Sequence, residues 1–258
     1  MKVAPVVIRD VRIGEGIPKI CAPIVGKTKA DILEEAEQVL ASSADFAEWR
    51  ADWFEDVYNM ESVVGILKGL RELLKEMPLL FTFRTAGEGG EKSVSPEMYT
   101  ALNRAAAQSG YADMIDVELF SGEALVSELI EEAHRCGIAA VVSNHDFQGT
   151  PDQKEMIRRL CTMQSLGADI LKIAVMPQTP ADVLSLLLAT EEMHKNHAKC
   201  PIITMSMSGM GMISRICGET FGSSVTFGAA SKSSAPGQIG IKELSESLRM
   251  IHQGLKGT

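Results

Sequence analysis

The stretch ADILKIAVM, residues 168–176, decides the fold because it has the length and composition of a buried strand. Side chains alternate between the two faces of a strand, so Leu171, Ile173 and Val175 share one face and Lys172 lies on the other. The branched set suits contact with a layer of helices. Lys172 then points to the opposite side, where a lysine must snorkel, pair with an acid or take part in chemistry.

Strands of this kind recur along the chain and alternate with segments of helical periodicity. The predicted strands are residues 19–26, 44–52, 78–85, 112–120, 138–147, 168–176, 201–208 and 224–231. The predicted helices are residues 28–43, 58–76, 96–109, 123–136, 152–166, 180–198, 211–221 and 241–255. Eight alternating units in about 240 residues favour a (β/α)8 TIM barrel of the α/β class. A doubly wound sheet is the weaker alternative, because no Gly-x-Gly-x-x-Gly motif follows the first strand.

The ends of the chain and of its helices complete this prediction. Residues 5–19 alternate between apolar and polar residues around Asp10. This pattern predicts an N-terminal β-hairpin that closes one end of the barrel. No linker divides the chain, so residues 1–258 are expected to form a single catalytic barrel domain. Ser95-Pro96 and Thr150-Pro151-Asp152 predict capped helix starts with a proline at the first helical position, and Gly110, Gly137 and Gly167 predict helix ends.

Composition limits the possible functions. A net charge of −9 disfavours a nucleic-acid surface, which requires a basic patch. No apolar run approaches the ~18 residues of a membrane span. The N-terminus lacks a signal-peptide pattern, and the five scattered cysteines suit reduced thiols. We therefore expect a cytoplasmic protein with no membrane or nucleic-acid partner.

Charged side chains converge on the inner face of the predicted barrel. Strand parity directs these residues inward near the C-terminal strand ends: Glu48, Arg50, Asp52, Arg84, Asp116, Glu118, His145 and Lys172. Barrel enzymes have their active sites at that end. Structural ion pairs could account for the three acids Asp52, Asp116 and Glu118. The whole set is costly to bury unless it also binds something.

This set predicts chemistry on a ketone. A free lysine amine attacks a ketone, and the resulting iminium acidifies the neighbouring C–H bond. A histidine near neutrality on the adjacent strand is then a suitable general base. Arginines hold a carboxylate through a bidentate fork. The residues therefore predict a Schiff-base enzyme that acts on a small anionic ketone, either a dehydratase or an aldolase.

Several motifs in order resemble one family. The stretches EWRAD, FTFRTAGEGGE, DVELF, SNHDF, LKIAVMP, TMSM and SAPGQ resemble type I 3-dehydroquinate dehydratase, and the similarity runs from about residue 18 to residue 255. The resemblance implies a (β/α)8 barrel, a homodimer, no metal and no cofactor. It also implies conversion of the small molecule 3-dehydroquinate to 3-dehydroshikimate by syn elimination of water, the third step of the shikimate pathway of aromatic amino acid biosynthesis.

The resemblance also implies residue roles. Lys172 matches the Schiff-base former, His145 the general acid and base, and Glu88 the carboxylate that orients the histidine. The implied substrate-binding residues are Glu48, Trp49, Arg50, Arg84, Arg215, Ser234 and Gln238, the last two on a loop that closes over the substrate. Met205 and Met207 are expected to line the pocket.

The sequence departs from the family's residue pattern at two places, and two alternative functions are compatible with parts of the site. Pro23 stands where some members have a serine, and the glycine-rich residues 208–212 replace more polar ones. Neither departure removes a catalytic group. A class I aldolase would use the same lysine, but no phosphate-binding loop is evident after the last two strands. A sensor that only binds the ligand is disfavoured because Lys172, His145 and Glu88 are all present.

Overall fold

The computed structural model describes residues 3–230 and 237–257, and a curled parallel sheet forms its centre. The strands are β1 (Val6–Ile8), β2 (Val11–Ile13), β3 (Lys19–Ile24), β4 (Phe46–Arg50), β5 (Leu79–Thr82), β6 (Met114–Glu118), β7 (Ala139–Asp146), β8 (Ile170–Val175), β9 (Ile202–Ser206), β10 (Val225–Ala229) and β11 (Ile239–Gly240). The helices are α1 (Lys29–Leu40), α2 (Met60–Leu74), α3 (Pro96–Gln108), α4 (Glu123–Arg135), α5 (Gln153–Ser165), α6 (Pro180–Glu192), α7 (Met212–Ile216), α8 (Gly218–Phe221) and α9 (Ile241–Lys256).

The order of the strands confirms the predicted barrel. Strands β3 to β9 pair in parallel in chain order, and β10 pairs with β3. Between β9 and β10, Ser224 N donates to Ile202 O at 2.8 Å, and the hydroxyl of Ser223 accepts Thr204 N–H at 3.0 Å. Contacts from these two serines therefore join β9 to the start of β10 where the sheet meets itself.

Two apolar layers confirm the strand parity. Leu171, Ile173 and Val175 belong to the larger core between strands and helices. Ile170 and Ala174 belong to a smaller core inside the barrel. Lys172 shares their inward face, which places its ammonium group among the inner side chains and not against the helices.

The predicted hairpin is also confirmed. Strands β1 and β2 pair antiparallel with Val6 opposite Ile13 and Ile8 opposite Val11. Ile8 and Ile13 are buried in the inner core, where Phe46 and Leu80 also lie. The hairpin therefore covers the end of the barrel opposite the one at which the strands terminate.

One helix start was predicted correctly and one was wrong. Ser95 caps α3 by accepting Met98 N–H at 3.3 Å, and Pro96 is the first helical residue. Helix α5 begins at Gln153 and not beside Pro151, because Asp152 caps it by accepting Glu155 N–H at 2.9 Å. The predicted helix ends at Gly110, Gly137 and Gly167 are confirmed, with φ of +71°, +73° and +98°.

The single helix predicted over residues 211–221 is wrong. The segment forms two short helices, α7 and α8, which meet at Cys217. A Cβ at Gly218 would lie 2.8 Å from Ser223 O, so the chain approaches its own backbone closely here. That approach requires glycine at the first residue of α8.

Candidate active site

A pocket of about 480 Å³ opens at the carboxyl ends of the barrel strands. Its lining comprises Glu48, Arg50, Arg84, Glu88, Gly89, His145, Phe147, Lys172, Ala174, Met205, Met207, Phe227 and Gln238. The prediction that Met205 and Met207 line the pocket is confirmed. Seven of the ten residues that sequence analysis assigned to the site therefore share one cavity.

Lys172 lies deep in this pocket and is 3% exposed. Its Nζ is 3.1 Å from Asp116 Oδ2 and 3.5 Å from Glu48 Oε1. The same ammonium group lies 4.6 Å from the centroid of the Phe227 ring. Two carboxylates and one aromatic face thus stabilise a positive charge on this nitrogen.

Asp116 connects Lys172 to Arg84. Its Oδ1 accepts Arg84 Nη2 at 2.7 Å and the Ser143 hydroxyl at 2.6 Å. Burial alone would raise the pKa of Asp116, but the charges of Arg84 and Lys172 and the hydrogen bonds outweigh burial and lower that pKa to about 2. Asp116 is therefore ionised throughout the physiological range.

Arg84 is held by the acids around it. Its Nη1 donates to Glu118 Oε1 at 2.9 Å and to Ser143 Oγ at 3.0 Å. Burial acts against its charge, yet the carboxylates of Asp116, Glu118 and Glu88 raise its pKa well above the usual value. These contacts fix the guanidinium group as an internal anchor of β5, β6 and β7.

His145 and Glu88 form the second functional pair. Glu88 Oε2 lies 3.0 Å from His145 Nδ1 and accepts the backbone N–H of the same residue at 2.9 Å. Burial raises the pKa of Glu88 to about 7, although the charge of Arg84 opposes this rise. Burial and the charges of Arg84, Lys172 and Arg50 lower the pKa of His145 well below its usual value. The imidazole is therefore neutral at physiological pH.

Glu48 and Arg50 lie side by side on the pocket wall. Glu48 accepts the Thr82 hydroxyl at 2.9 Å. Arg50 donates Nε and Nη2 to the two oxygens of Asp52, each at 2.8 Å. Asp52 also accepts backbone N–H groups of Arg84 and Glu91 at 3.3 and 3.1 Å, which ties the loop that carries Glu88 to β4.

The three remaining predicted site residues are not in the pocket lining. The assignment of Trp49 to substrate binding is corrected, because its side chain is fully buried between strands and helices. Its ring centroid lies 5.6 Å from that of Phe81 and 6.2 Å from that of Phe54. Strand alternation turns it away from the neighbours Glu48 and Arg50. Arg215 is buried beside the pocket, with Nη1 3.9 Å from Met205 Sδ, and burial lowers its pKa to about 10. Ser234 lies outside the described residues.

The sequence pattern did not predict a site role for Asp116, Phe227 or Asn144. Parity directed Asp116 inward, but its bond to Lys172 depends on the register of three strands, in which Ser143 lies beside Lys172. Phe227 shares the inward face of β10 and contacts Lys172. Asn144 donates to Glu88 Oε1 at 3.2 Å, a contact with no counterpart in the sequence pattern.

The described residues, 3–230 and 237–257, lack two features, a membrane-spanning helix and a cluster of metal-ligand side chains. No helix in these ranges has both the length and the apolar character needed to cross a membrane. The same part of the chain contains no group of three or more histidine, cysteine, aspartate or glutamate side chains placed to hold a metal ion.

The parallel barrel, with a buried lysine, a histidine–carboxylate pair and arginines at its C-terminal end, has the architecture of a (β/α)8-barrel enzyme. A family model described as type I 3-dehydroquinase matches residues 20–255. The chain belongs to this family, which confirms the resemblance seen in its motifs.

Individual relatives agree over nearly the whole chain. The 3-dehydroquinate dehydratase of Clostridioides difficile (strain 630) is 52% identical over 248 residues, which cover 96% of this chain and 97% of that protein. The Bacillus licheniformis protein of the same name is 53% identical over 248 residues, covering 96% and 98%. A crystal structure of the Clostridium difficile type I enzyme "with Covalent Modified Comenic Acid" has a TM-score of 0.95 at 52% identity, covering 98% of this chain and 99% of that one.

Proposed function

We propose that this protein dehydrates 3-dehydroquinate to 3-dehydroshikimate through an imine at Lys172. The family and the names of the relatives support the substrate. The observation that carries the mechanism is the placement of Lys172 and the His145–Glu88 pair on the wall of one pocket. The homodimer and the cytoplasmic location stay predictions of the sequence analysis.

Imine formation begins when Lys172 gives up a proton and its amine attacks the ketone carbon. A C–N bond forms, the ketone oxygen leaves as water, and the product is a protonated imine. This cation has the same charge as the lysine ammonium it replaces. Asp116 and Glu48, which contact the ammonium at 3.1 and 3.5 Å, are placed to stabilise the iminium equally.

Elimination requires a base and then an acid. His145 is neutral, and its Nδ1 is engaged by Glu88 at 3.0 Å, so Nε2 is the atom for proton transfer. His145 takes a proton from the carbon next to the iminium, and the electron pair moves to nitrogen to form an enamine. The enamine then expels the hydroxyl group one carbon further on, which leaves as water with the proton from His145. One residue serving both steps on one ring face gives syn elimination.

Release of the product reverses the first step. Water adds to the conjugated iminium, the C–N bond breaks, and the enone product leaves with the lysine amine restored. The carbon skeleton gains one C=C bond, and one water is lost overall. No oxidant, reductant or cofactor is required for this balance.

Substrate recognition is divided among the arginines. Arg84 is already bound by Asp116 and Glu118 at 2.7 and 2.9 Å, so we assign it to organising the site and not to gripping a carboxylate. We assign the carboxylate to Arg215, the role that the family resemblance implies, because its Nη1 lies 3.9 Å from the sulfur of Met205 on the pocket wall and a guanidinium group binds a carboxylate through two donors. Arg50 and Gln238 on the pocket wall are assigned to ring hydroxyls.

The test is intact-protein mass spectrometry after incubation with 3-dehydroquinate and borohydride, with absorbance of the conjugated enone followed in parallel. We expect one reduced adduct per chain, mapped by peptide analysis to Lys172, and an enone signal without borohydride. An enone signal with an adduct on another lysine would overturn the assignment of Lys172. Absence of both signals would overturn the proposed function.

A further inference from the structure

Asn144 lies between two inward-facing residues of β7, Ser143 and His145, and is 2% exposed. A buried amide is costly unless both of its ends are hydrogen-bonded. Both ends of Asn144 have partners. Its Oδ1 accepts Arg159 Nη1 at 2.7 Å, and its Nδ2 donates to Glu88 Oε1 at 3.2 Å.

Arg159 determines which way the amide points. A guanidinium group only donates, so the oxygen of Asn144 must face Arg159 and the NH₂ group must face Glu88. Arg159 is itself held on α5, where its Nη1 is 3.1 Å from Asp146 Oδ2 and its Nε is 2.8 Å from Glu155 Oε1. The Phe120 ring lies 5.2 Å from its guanidinium carbon.

The amide therefore donates to one oxygen of Glu88 while His145 occupies the other. Donation to a carboxylate favours the ionised form, and ionised Glu88 receives the Nδ1 proton of His145. A protonated Glu88 would instead donate to Nδ1 and leave the ring proton on Nε2. That tautomer cannot accept a proton from the substrate.

Of the other groups around Glu88, some favour its ionised form and some its protonated form. Arg84 Nη1, 3.6 Å away on the segment that follows β5, favours the ionised carboxylate. Burial and the charge of Glu118 on β6 favour the protonated carboxyl group. Burial and the charges of Arg84, Lys172 on β8 and Arg50 on β4 lower the pKa of His145 and keep it neutral. The donor from Asn144 adds to the influence of Arg84.

We propose that Asn144, oriented by Arg159, is a positioning residue that keeps Glu88 ionised and His145 in the tautomer with a free Nε2. This inference rests on the proposed function for its kinetic consequence. Its structural consequence, the tautomer of His145, is independent of any substrate.

The decisive variant is Asn144→Asp, because it keeps an acceptor for Arg159 and removes the donor to Glu88. We expect the acid limb of the kcat/KM profile to move to higher pH by about one unit. The lost hydrogen bond stabilises the charged carboxylate by an amount that corresponds to about one pKa unit or more. Below the midpoint this shift is an approximately ten-fold loss of kcat/KM. The milder variant Arg159→Met, which changes a partly exposed residue, is expected to shift the limb in the same direction.

A second readout is ¹⁵N NMR of the imidazole nitrogens, with the His145 signals assigned by their loss in His145→Ala. The pH at which the His145 tautomer changes is expected to rise in both variants. Asn103→Asp is the matched control, because Asn103 is also buried but bonds Tyr99 O on α3. It is expected to lower stability without moving either midpoint.

Unchanged kinetic and NMR midpoints in both variants would overturn the inference. An equal shift in Asn103→Asp would also overturn it, because a general loss of stability would then account for the effect. A wild-type protein without dehydratase activity would refute the proposed function, and the NMR titration would still decide the inference.

Discussion

Lys172 and Asp116 form an ion pair of 3.1 Å across the strand that separates them, and Ser143 on that strand donates to the other side of Asp116 at 2.6 Å. Strands β6, β7 and β8 thus contribute one member each to a buried network. Removing one member of a buried ion pair costs about 3–5 kcal/mol, because the other charge is left without compensation. Here Arg84 also contacts Asp116 at 2.7 Å, so part of that compensation persists when Lys172 is replaced.

Lys172→Met is expected to abolish turnover and to leave the fold intact. Methionine has a similar length and no amine, so it fills the space but cannot form an imine. Loss of a nucleophile lowers kcat by on the order of 10⁴-fold or more. Enone absorbance measures turnover, and circular dichroism with a urea titration measures folding.

The matched control for this variant is Lys195→Met, whose side chain is 69% exposed on the protein surface. Its kcat is expected to equal that of the wild type. Unfolding of Lys172→Met under native conditions would show that the lysine has a structural role. Retained turnover would show that another group carries the chemistry.

His145→Ala is expected to separate imine formation from elimination. The amine of Lys172 is untouched, so borohydride still traps an adduct with the substrate. Loss of the general base lowers kcat by about 10²–10⁴-fold. The measurement is adduct mass beside the rate of enone formation.

His134→Ala, on the far side of the barrel wall in α4, serves as the control and should keep both signals. If His145→Ala formed no adduct, His145 would also be required for imine formation and the division of roles would be wrong.

The barrel and much of the site were predictable from the sequence because they depend on periodicity. Strand parity placed Glu48, Arg50, Arg84, His145 and Lys172 on one inner face, and the structure gives them one pocket. Short-range patterns of this kind persist in three dimensions because a strand has only two faces.

Features that depend on long-range approach were not predictable in this way. The residue pattern alone predicted no role for Glu88. This residue lies in the turn after β5, and it contacts His145 only because the fold brings that turn against β7. The motif EWRAD suggested a substrate contact for Trp49, yet alternation turns that side chain to the helices. The start of α5 was misplaced because both Thr150 and Asp152 are cap-forming residues, and only the folded backbone selects Asp152.

The variant Glu88→Gln is expected to lose less folding stability than the wild type as the pH rises from 4.5 to 8. Burial raises the pKa of folded Glu88 from 4.5 to about 7. A raised folded pKa gives stability that is fully present below pH 4.5 and is lost as pH rises through about 7. A rise in pKa from 4.5 to about 7 corresponds to a fall of about 3 kcal/mol in the free energy of unfolding, at roughly 1.4 kcal/mol per pH unit.

Urea unfolding at pH 4.5 and pH 8 measures this difference. The wild type should lose more stability than Glu88→Gln between the two pH values, whatever the offset between the proteins at pH 4.5. Asp116 does not interfere, because its pKa of about 2 keeps it ionised across the range. The surface variant Glu72→Gln should follow the wild type, and a wild-type slope in Glu88→Gln would show that Glu88 titrates normally.

Gly89→Ala is expected to damage both stability and activity, because Gly89 shapes the turn that carries Glu88. Its φ of +84° lies in the left-handed region, and a Cβ there would lie 2.2 Å from Cε2 of the Phe147 ring on the pocket wall. Overpacking of this kind costs about 1–3 kcal/mol. Displacement of the adjacent Glu88 by about 1 Å would lower kcat by roughly 10²-fold.

The control is Gly65→Ala on the exposed face of α2, where an added Cβ meets no atom within 4 Å. Alanine is a better helix former than glycine, so the free energy of unfolding of this variant should rise by up to about 1 kcal/mol, with kcat unchanged. Urea unfolding and enone absorbance measure both variants together. If Gly89→Ala kept wild-type stability and kcat, the Phe147 ring would be free to move aside, and the turn would not depend on glycine to hold Glu88 against His145.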